Sequence, residues 1–412
     1  MTNAAVAACA SNQIDVAGNG SNCVDSKFEL TTTSLSASDT FKFAISAEGT
    51  FYVDCGDGGT LSGTGTSGKT ISKSTNFSVS YTCTWTTAGA HKIKFGGAAT
   101  EYSIVGLDVT SDNAAITFYT AVSNNAVKIA SVSGSLAAVF PQLGSSASQI
   151  PQFIDTFRGA TNLTSIPSTL FSGGNLTGGS NAKYMFYKTF GDCTGLTAIP
   201  AGLFADVTSA ANSMFYKTFD GCTSLSGFIP STAFAGLIAN NSPTATSMWS
   251  DTFNGTQLLT SCPSGTVQYT TQYESNWDGK VSCNCTGANF YAAGTCTACP
   301  AGYDSNTNNG KTDVSQCQIS CAAGTFVATP ATVGSTDYTR LEYIENPNGK
   351  YINTGFTHNP NATTIRGVLR VGVSANLPNS KNVNFIGNQV SKSGGYSLGW
   401  NAYFKLWTEA PN

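Results

Sequence analysis

The chain has 412 residues, too many for one hydrophobic core, so two to four domains are expected. Only 10% of residues are charged, and Gly, Ser, Thr and Asn fill the space, which suits turns and strands better than long exposed helices. A net charge of −3 with no Lys/Arg cluster argues against a nucleic-acid partner, which needs several phosphate-neutralising cations. No apolar run reaches the ~18 residues of a membrane-spanning helix.

Residues 1–26 form an N-terminal segment. Ala4 to Ala8 is a small apolar stretch directly before Cys9, similar to the tail of a secretion signal. Val6-Ala7-Ala8-Cys9 also loosely resembles a bacterial lipoprotein cleavage site; the alternative is a Cys9–Cys23 bridge across a Gly/Asn-rich loop. The cofactor expectation is none. Calcium is weighed only for Asp15-x-Ala17-x-Asn19-Gly20, which lacks the bidentate Glu of a calcium loop.

Residues 27–125 read as a β-sandwich. Phe28 to Thr33, Phe41 to Ile45, Thr50 to Val53, Phe77 to Trp85 and His91 to Phe95 alternate or are β-branched, and Gly, Ser and Asn punctuate them. Cys55 and Cys83 fall on two of these strands and are expected to bridge. The stretch Tyr52-Val53-Asp54-Cys55-Gly56-Asp57-Gly58, followed by Tyr81-Thr82-Cys83-Thr84-Trp85 and Ala88-Gly89-Ala90-His91-Lys92-Ile93, resembles the PKD-like immunoglobulin-type domains of bacterial surface proteins. Asp57 then reads as a hairpin-turn residue, and His91 as a surface residue on a strand.

Residues 126–270 contain four similar segments. Their Thr-Phe pairs begin at Thr156, Thr189, Thr218 and Thr252, so the spacings are 33, 29 and 34 residues. A period in this range marks a stacked repeat architecture, in which no unit can bury its apolar face alone. The phrase Thr-Phe-x-x-Cys-Thr-x-Leu-Thr-x-Ile-Pro-x-x-Leu-Phe resembles the BspA-like leucine-rich repeats of bacterial surface proteins and implies a repeat solenoid. Long Gly/Ser/Asn inserts at 172–182 and 238–246 depart from that pattern. Cys193 and Cys222 occupy equivalent positions in adjacent units and read as buried thiols or as a stacked pair.

Residues 271–330 change character, with Cys283, Cys285, Cys296, Cys299, Cys317 and Cys321 closely spaced, preceded by Cys262. Cys-Pro-Ala-Gly-Tyr and Cys-Ala-Ala-Gly-Thr-Phe resemble small cysteine-rich modules of receptor and adhesin ectodomains, whose disulfides replace a core. Pairing of Cys285 with Cys296 and of Cys299 with Cys317 is expected, leaving Cys321 without an assigned partner. Zinc is the alternative, but with only His91 and His358 its site would be all cysteine. Residues 338–412, from Leu341-Glu-Tyr-Ile-Glu to Tyr351-Ile-Asn-Thr-Gly and beyond, resemble the opening of a laminin-G or concanavalin-A-like jelly-roll. The chain is too short to complete one, so a partial domain is expected.

The expected fold class is therefore mainly β and multidomain: sandwich, repeat solenoid, disulfide-rich module and partial jelly-roll. Two histidines do not readily assemble a Ser-His-Asp triad, and no phosphate loop or His-Glu-x-x-His motif occurs. The carboxylates Asp54/Asp57 and Asp192/Asp220 fall in a turn and in repeat loops, so the chain is expected not to be an enzyme. The candidate binding residues are Tyr187, Lys188, Tyr216, Lys217 and Trp249, which recur with the repeats and suit an exposed aromatic–cation ladder. The expected role is a cell-surface or secreted adhesion or ligand-binding protein with a host or neighbouring-cell protein or glycan as partner. The alternatives are carbohydrate binding through the terminal jelly-roll and a structural subunit of a surface assembly.

Overall fold

The computed structural model describes residues 8–103, 111–119, 125–300, 310–312 and 314–317, with two short paired strands at 331–332 and 339–340. The chain divides into two units, residues 1–345 and 346–412. The second unit lies outside the described residues, and so do Ala4 to Ala7, Cys321 and His358. The described chain is mainly β, and its α-helix α1 (Ala235–Ala239) has only five residues.

The first 134 residues supply twelve strands. These are β1 (Gln13–Asp15), β2 (Cys23–Asp25), β3 (Phe28–Thr32), β4 (Thr40–Ile45), β5 (Glu48–Asp54), β6 (Thr60–Gly63), β7 (Thr66–Ser67), β8 (Thr70–Lys73), β9 (Val79–Thr84), β10 (Lys92–Glu101), β11 (Ile116–Thr117) and β12 (Ile129–Gly134). β1 and β2 make a hairpin tied by Cys9–Cys23. Asp15 closes the loop between them by accepting hydrogen bonds from the Gly18 and Gly20 N–H groups, one on each oxygen.

Two larger sheets pair in the orders β12-β3-β10-β5-β8-β7 and β11-β4-β9-β6. Alternation dictates their faces: β3 buries Phe28, Leu30 and Thr32 and turns Glu29 and Thr31 outward. Phe43 meets Phe95 edge-on at 5.3 Å between the sheets. Cys55, just past β5, bridges to Cys83 on β9 and so ties one sheet to the other. Trp85 packs beside this bridge and donates its indole N–H to the Cys55 carbonyl at 3.0 Å.

β11 joins the sandwich to the repeats. Its Ile116 and Thr117 pair with Ile45 and Ala44 of β4. On its other side, the Ala115 N–H donates to Gln152 O at 2.7 Å and the Phe118 N–H to Thr156 O at 2.9 Å. The smaller sheet thus passes its hydrogen bonding into the first coil without a free edge.

The repeats form four stacked coils. Alternate N–H groups of one coil donate to the next: Phe186, Lys188, Phe190 and Asp192 bond the carbonyls of Met214, Tyr216, Thr218 and Asp220. The preceding coil repeats this pattern from Phe153 to Met185, and the following one from Phe215 to Met248. The intervening N–H groups close local turns instead: Tyr187 to Tyr184 O, Thr189 to Phe186 O, Gly191 to Lys188 O. Such a ribbon of successive turns needs a left-handed residue at every fourth position. Tyr184, Lys188 and Asp192 take it with φ of 58°, 47° and 58°, and Ser213, Lys217 and Gly221 take it in the next coil with 55°, 58° and 75°. An L-residue with a side chain pays about 1–2 kcal/mol there, offset by the two sets of hydrogen bonds that the conformation completes.

The same geometry sets burial to a period of four, two residues in and two out. Met185 and Phe186 are buried, Tyr187 and Lys188 half-buried, and Thr189 and Phe190 buried again. Inward phenylalanines stack coil on coil in three rows. Phe157, Phe190, Phe219 and Phe253 lie 5.6, 5.3 and 5.8 Å apart and nearly parallel. Phe153, Phe186, Phe215 and Trp249 lie 5.9, 5.2 and 4.7 Å apart. Phe171, Phe204 and Phe234 make the third row at 5.6 and 5.3 Å.

Thr189, Thr218 and Thr252, buried between the rows, donate their hydroxyls to the carbonyls of Phe153, Phe186 and Phe215 in the coil before, at 2.7–2.8 Å. Phe118 packs on Phe157 at 5.3 Å with the rings tilted by 37°, and one hydrophobic cluster runs unbroken from Phe28 to Trp277. The core is therefore continuous across residue 125, where composition alone suggests that one domain gives way to the next.

The far end of the stack is closed by Tyr273 and Trp277 and by short strands: β13 (Ser226–Gly227), β14 (Ile229–Pro230), β15 (Gln257–Leu258), β16 (Thr266–Gln268), β17 (Ser282–Cys285), β18 (Asn289–Ala292) and β19 (Thr295–Ala298). β13 pairs parallel with β15, β17 sits between β14 and β16, and β18 with β19 forms a hairpin. Disulfides Cys262–Cys283, Cys285–Cys296 and Cys299–Cys317 staple this end. Cys193 and Cys222 remain thiols within the stack, each fully buried.

Candidate binding face

The outward pair of each coil places Tyr187 with Lys188, and Tyr216 with Lys217, at matching positions of adjacent coils. The Tyr187 and Tyr216 rings lie 5.3 Å apart, tilted by 52°. Lys188 Nζ stands 5.6 Å from the Tyr187 ring centre and Lys217 Nζ 5.5 Å from that of Tyr216. The left-handed φ of each lysine turns its side chain back over the neighbouring ring.

Three residues outside the candidate set extend the face. Tyr184 meets Tyr187 edge-on at 5.9 Å, and Arg158 lies 4.8 Å over the Tyr119 ring. The row of aromatic–cation contacts therefore runs from Tyr119, just past β11, across three coils. Tyr119 and Arg158 escape sequence reasoning because neither falls at the Tyr-Lys position of the repeat; only the turn geometry brings them level with it.

Carboxylates run between the cations. Arg158 pairs with Asp192 at 3.2 Å and with Asp155 at 3.6 Å, while Lys217 pairs with Asp220 at 3.8 Å and Asp251 at 3.7 Å. Lys188 makes no direct ion pair among the described residues, though its charge acts on the nearby Asp155 carboxyl. Burial raises the Asp155 carboxyl above its usual range, opposed by Arg158 and Lys188. Burial, followed by the nearby Asp155, likewise raises the Tyr187 phenol, keeping it a neutral hydrogen-bond donor.

Trp249 does not belong to this face. It is 1% exposed, stacked on Phe215 at 4.7 Å and edge-on to Trp277 at 5.7 Å. Its position matches the inward Phe153, Phe186 and Phe215, so the larger ring fills the last rung of a core row, and the expected contact role is corrected.

His91 is likewise corrected from surface to interior. It is 2% exposed, stacks on Trp85 with ring centres 4.3 Å apart, and reaches the Asp57 carboxylate through Nδ1 at 3.3 Å. Asp57 holds a left-handed φ of 49° in the Gly56-Asp57-Gly58 turn. Asp54 accepts from the Gly56 N–H and pairs with Lys69 at 2.9 Å.

The cysteines of the expected disulfide set pair as Cys9–Cys23, Cys55–Cys83, Cys262–Cys283, Cys285–Cys296 and Cys299–Cys317. In the stack, the Cys193 and Cys222 thiols donate to Phe157 O and Phe190 O at 3.1 and 3.0 Å. Burial, then the neighbouring Cys193, pushes the Cys222 thiol well up, which leaves it protonated and unreactive. No helix among the described residues is long and apolar enough to cross a membrane. No family model matches the chain, and no curated protein or solved structure is similar to it at a significant level.

Proposed function

We propose that the chain is a non-enzymatic, secreted or cell-surface binding protein whose contact surface is the tyrosine–cation row. The observation that carries this reading is repetition in register. Tyr187/Lys188 and Tyr216/Lys217 stand on adjacent coils as two equal rungs, prolonged by Arg158 over Tyr119. Aromatic rings with a polar tip, held by a rigid backbone, contribute contact area at low entropic cost. The partner is a host or neighbouring-cell protein or glycan. Five disulfides support an oxidising, extracellular setting.

Within this reading the coils are a leucine-rich-type solenoid resembling BspA-like repeats, and the sandwich is PKD-like. The sandwich then caps the solenoid and holds its first coil.

The test compares purified chain with the Tyr187→Ala/Tyr216→Ala and Lys188→Ala/Lys217→Ala double variants, on a glycan array and in attachment of protein-coated beads to epithelial cells. Attachment by the unaltered chain, with a loss on the order of tenfold in the tyrosine variant at unchanged melting temperature, is expected. Undiminished attachment by both variants would remove the row from the binding surface.

A further inference from the structure

A second candidate site lies on the disulfide-stapled end of the stack. A cleft of about 340 Å³ opens between α1 and β17, and its walls include Thr232, Ala235, Ile238, Tyr269, Asn284 and Gly310. Among the described residues, no charged side chain lines it. The helix contributes an apolar wall through Ala235 and Ile238, Tyr269 lines the opposite, strand side, and Thr232 and Asn284 carry hydrogen-bonding groups.

Two atoms of those groups, Thr232 Oγ1 and Asn284 Oδ1, have no hydrogen-bond partner and no contact with solvent. A shielded polar atom without a partner bears its full desolvation penalty, so each is a stored preference for a group that would meet it. To meet a ligand in the cleft, the Thr232 side chain would have to rotate and the Asn284 amide to turn over, and that is the movement the proposal requires.

The backbone around Asn284 is pinned. Its neighbours on β17 are Cys283, bridged to Cys262, and Cys285, bridged to Cys296. Gly310 donates its N–H to Cys285 O at 2.9 Å and lies against the Asn284 amide. A Cβ at Gly310, which holds φ of 86°, would stand 3.0 Å from Asn284 Oδ1. Glycine is needed there for its conformation and for the space beside the amide.

We propose that this cleft binds one neutral sugar residue, with the ring's C–H face against Ile238 and Tyr269 and its hydroxyls on Thr232 and Asn284. A charged ligand is disfavoured because none of the described wall residues would compensate its charge. The volume is at the small end of the range for ligand sites and suits a single ring. The site is separate from the tyrosine–cation row and stands or falls without it.

The experiment is saturation-transfer NMR on the full chain with methyl glycosides of glucose, galactose, mannose and N-acetylglucosamine, with glucuronate as the charged control. At least one neutral glycoside is expected to bind, with Asn284→Ala and Thr232→Val each weakening it about fivefold or more. Gly310→Ala, which crowds the amide, is expected to weaken it too, whereas Tyr187→Ala leaves it unchanged. Melting curves verify that each variant is folded; a variant that melts early is replaced by Asn284→Asp, whose added charge should also weaken binding. No binding by any of the four glycosides, binding unaffected at Asn284 and Thr232, or tighter binding of glucuronate would each overturn the proposal.

Discussion

The sandwich and the coil stack bury the same kinds of side chain with different backbones. In the sandwich, extended strands alternate one residue in and one out, as in β3 with Phe28, Leu30 and Thr32 inward. In the stack, successive turns place two in and two out, and the chain accepts left-handed φ at Lys188, Asp192 and Lys217 to do so. The sandwich locks its two layers with one covalent bridge, Cys55–Cys83. The stack has no covalent link between coils among the described residues and relies on aromatic rows and on Thr hydroxyls that reach the preceding coil. A period-four turn ribbon is thus a third route to a layered core, beside strand and helix.

The comparison can be broken most sharply at the centre of the stack. Phe215→Ala removes a ring that contacts Phe186, Phe204, Phe234 and Trp249. It should cost roughly 3–5 kcal/mol in denaturant unfolding. A loss confined to the coils, read by hydrogen exchange at Lys217 and Phe219 while β4 and β9 stay protected, would show that the continuous core still unfolds in parts.

In the sandwich the largest effect should come from the bridge. Replacing both Cys55 and Cys83 by Ala opens a loop of sequence separation 28 and should cost roughly 3–4 kcal/mol by the chain-entropy argument. Reduction would not isolate this loss, because Cys9–Cys23 and the three bridges at the far end of the stack would open as well, so the double Ala variant is the clean comparison.

Smaller changes refine the contrast. Thr218→Val keeps the shape but deletes the hydroxyl bond to Phe186 O and should cost about 1–2 kcal/mol. Asp192→Gly, by contrast, should be neutral or stabilising by up to ~1 kcal/mol, because the equivalent Gly159, Gly221 and Gly255 hold the same left-handed turn. Thermal melts of this variant decide it: a clear loss would mean that the pair with Arg158 outweighs the relief of backbone strain.

Much of the sandwich is legible in the sequence because alternation of Phe41, Phe43 and Ile45, or of Tyr81 and Cys83, carries its own period. The coils are legible as repeats, through the recurrence of Thr-Phe, but their backbone is not. Tyr184 and Lys188 give no sign of left-handed φ, since neither residue favours it locally and only the inter-coil hydrogen bonds impose it. The candidate face is half visible for the same reason. The Tyr-Lys pairs repeat in sequence, whereas Arg158 and Tyr119 join them only in space, and Trp249 carries the same composition signal while lying in the core. His91 misleads similarly, because a strand position says nothing of the Trp85 ring that covers it.

The shared edge at β11 has a mechanical consequence. Between the sandwich and the far end of the stack, each coil junction hangs on a short set of backbone hydrogen bonds directed from one coil to the next. Tension applied along the stacking direction would load those junctions in series, so the weakest yields first and the coils release one at a time. Across the sandwich, β10 presents long registers to both β3 and β5, which share load in parallel. A chain built this way has a sacrificial element beside a stiff one, and the Cys262–Cys283 loop limits how much chain the far end can surrender.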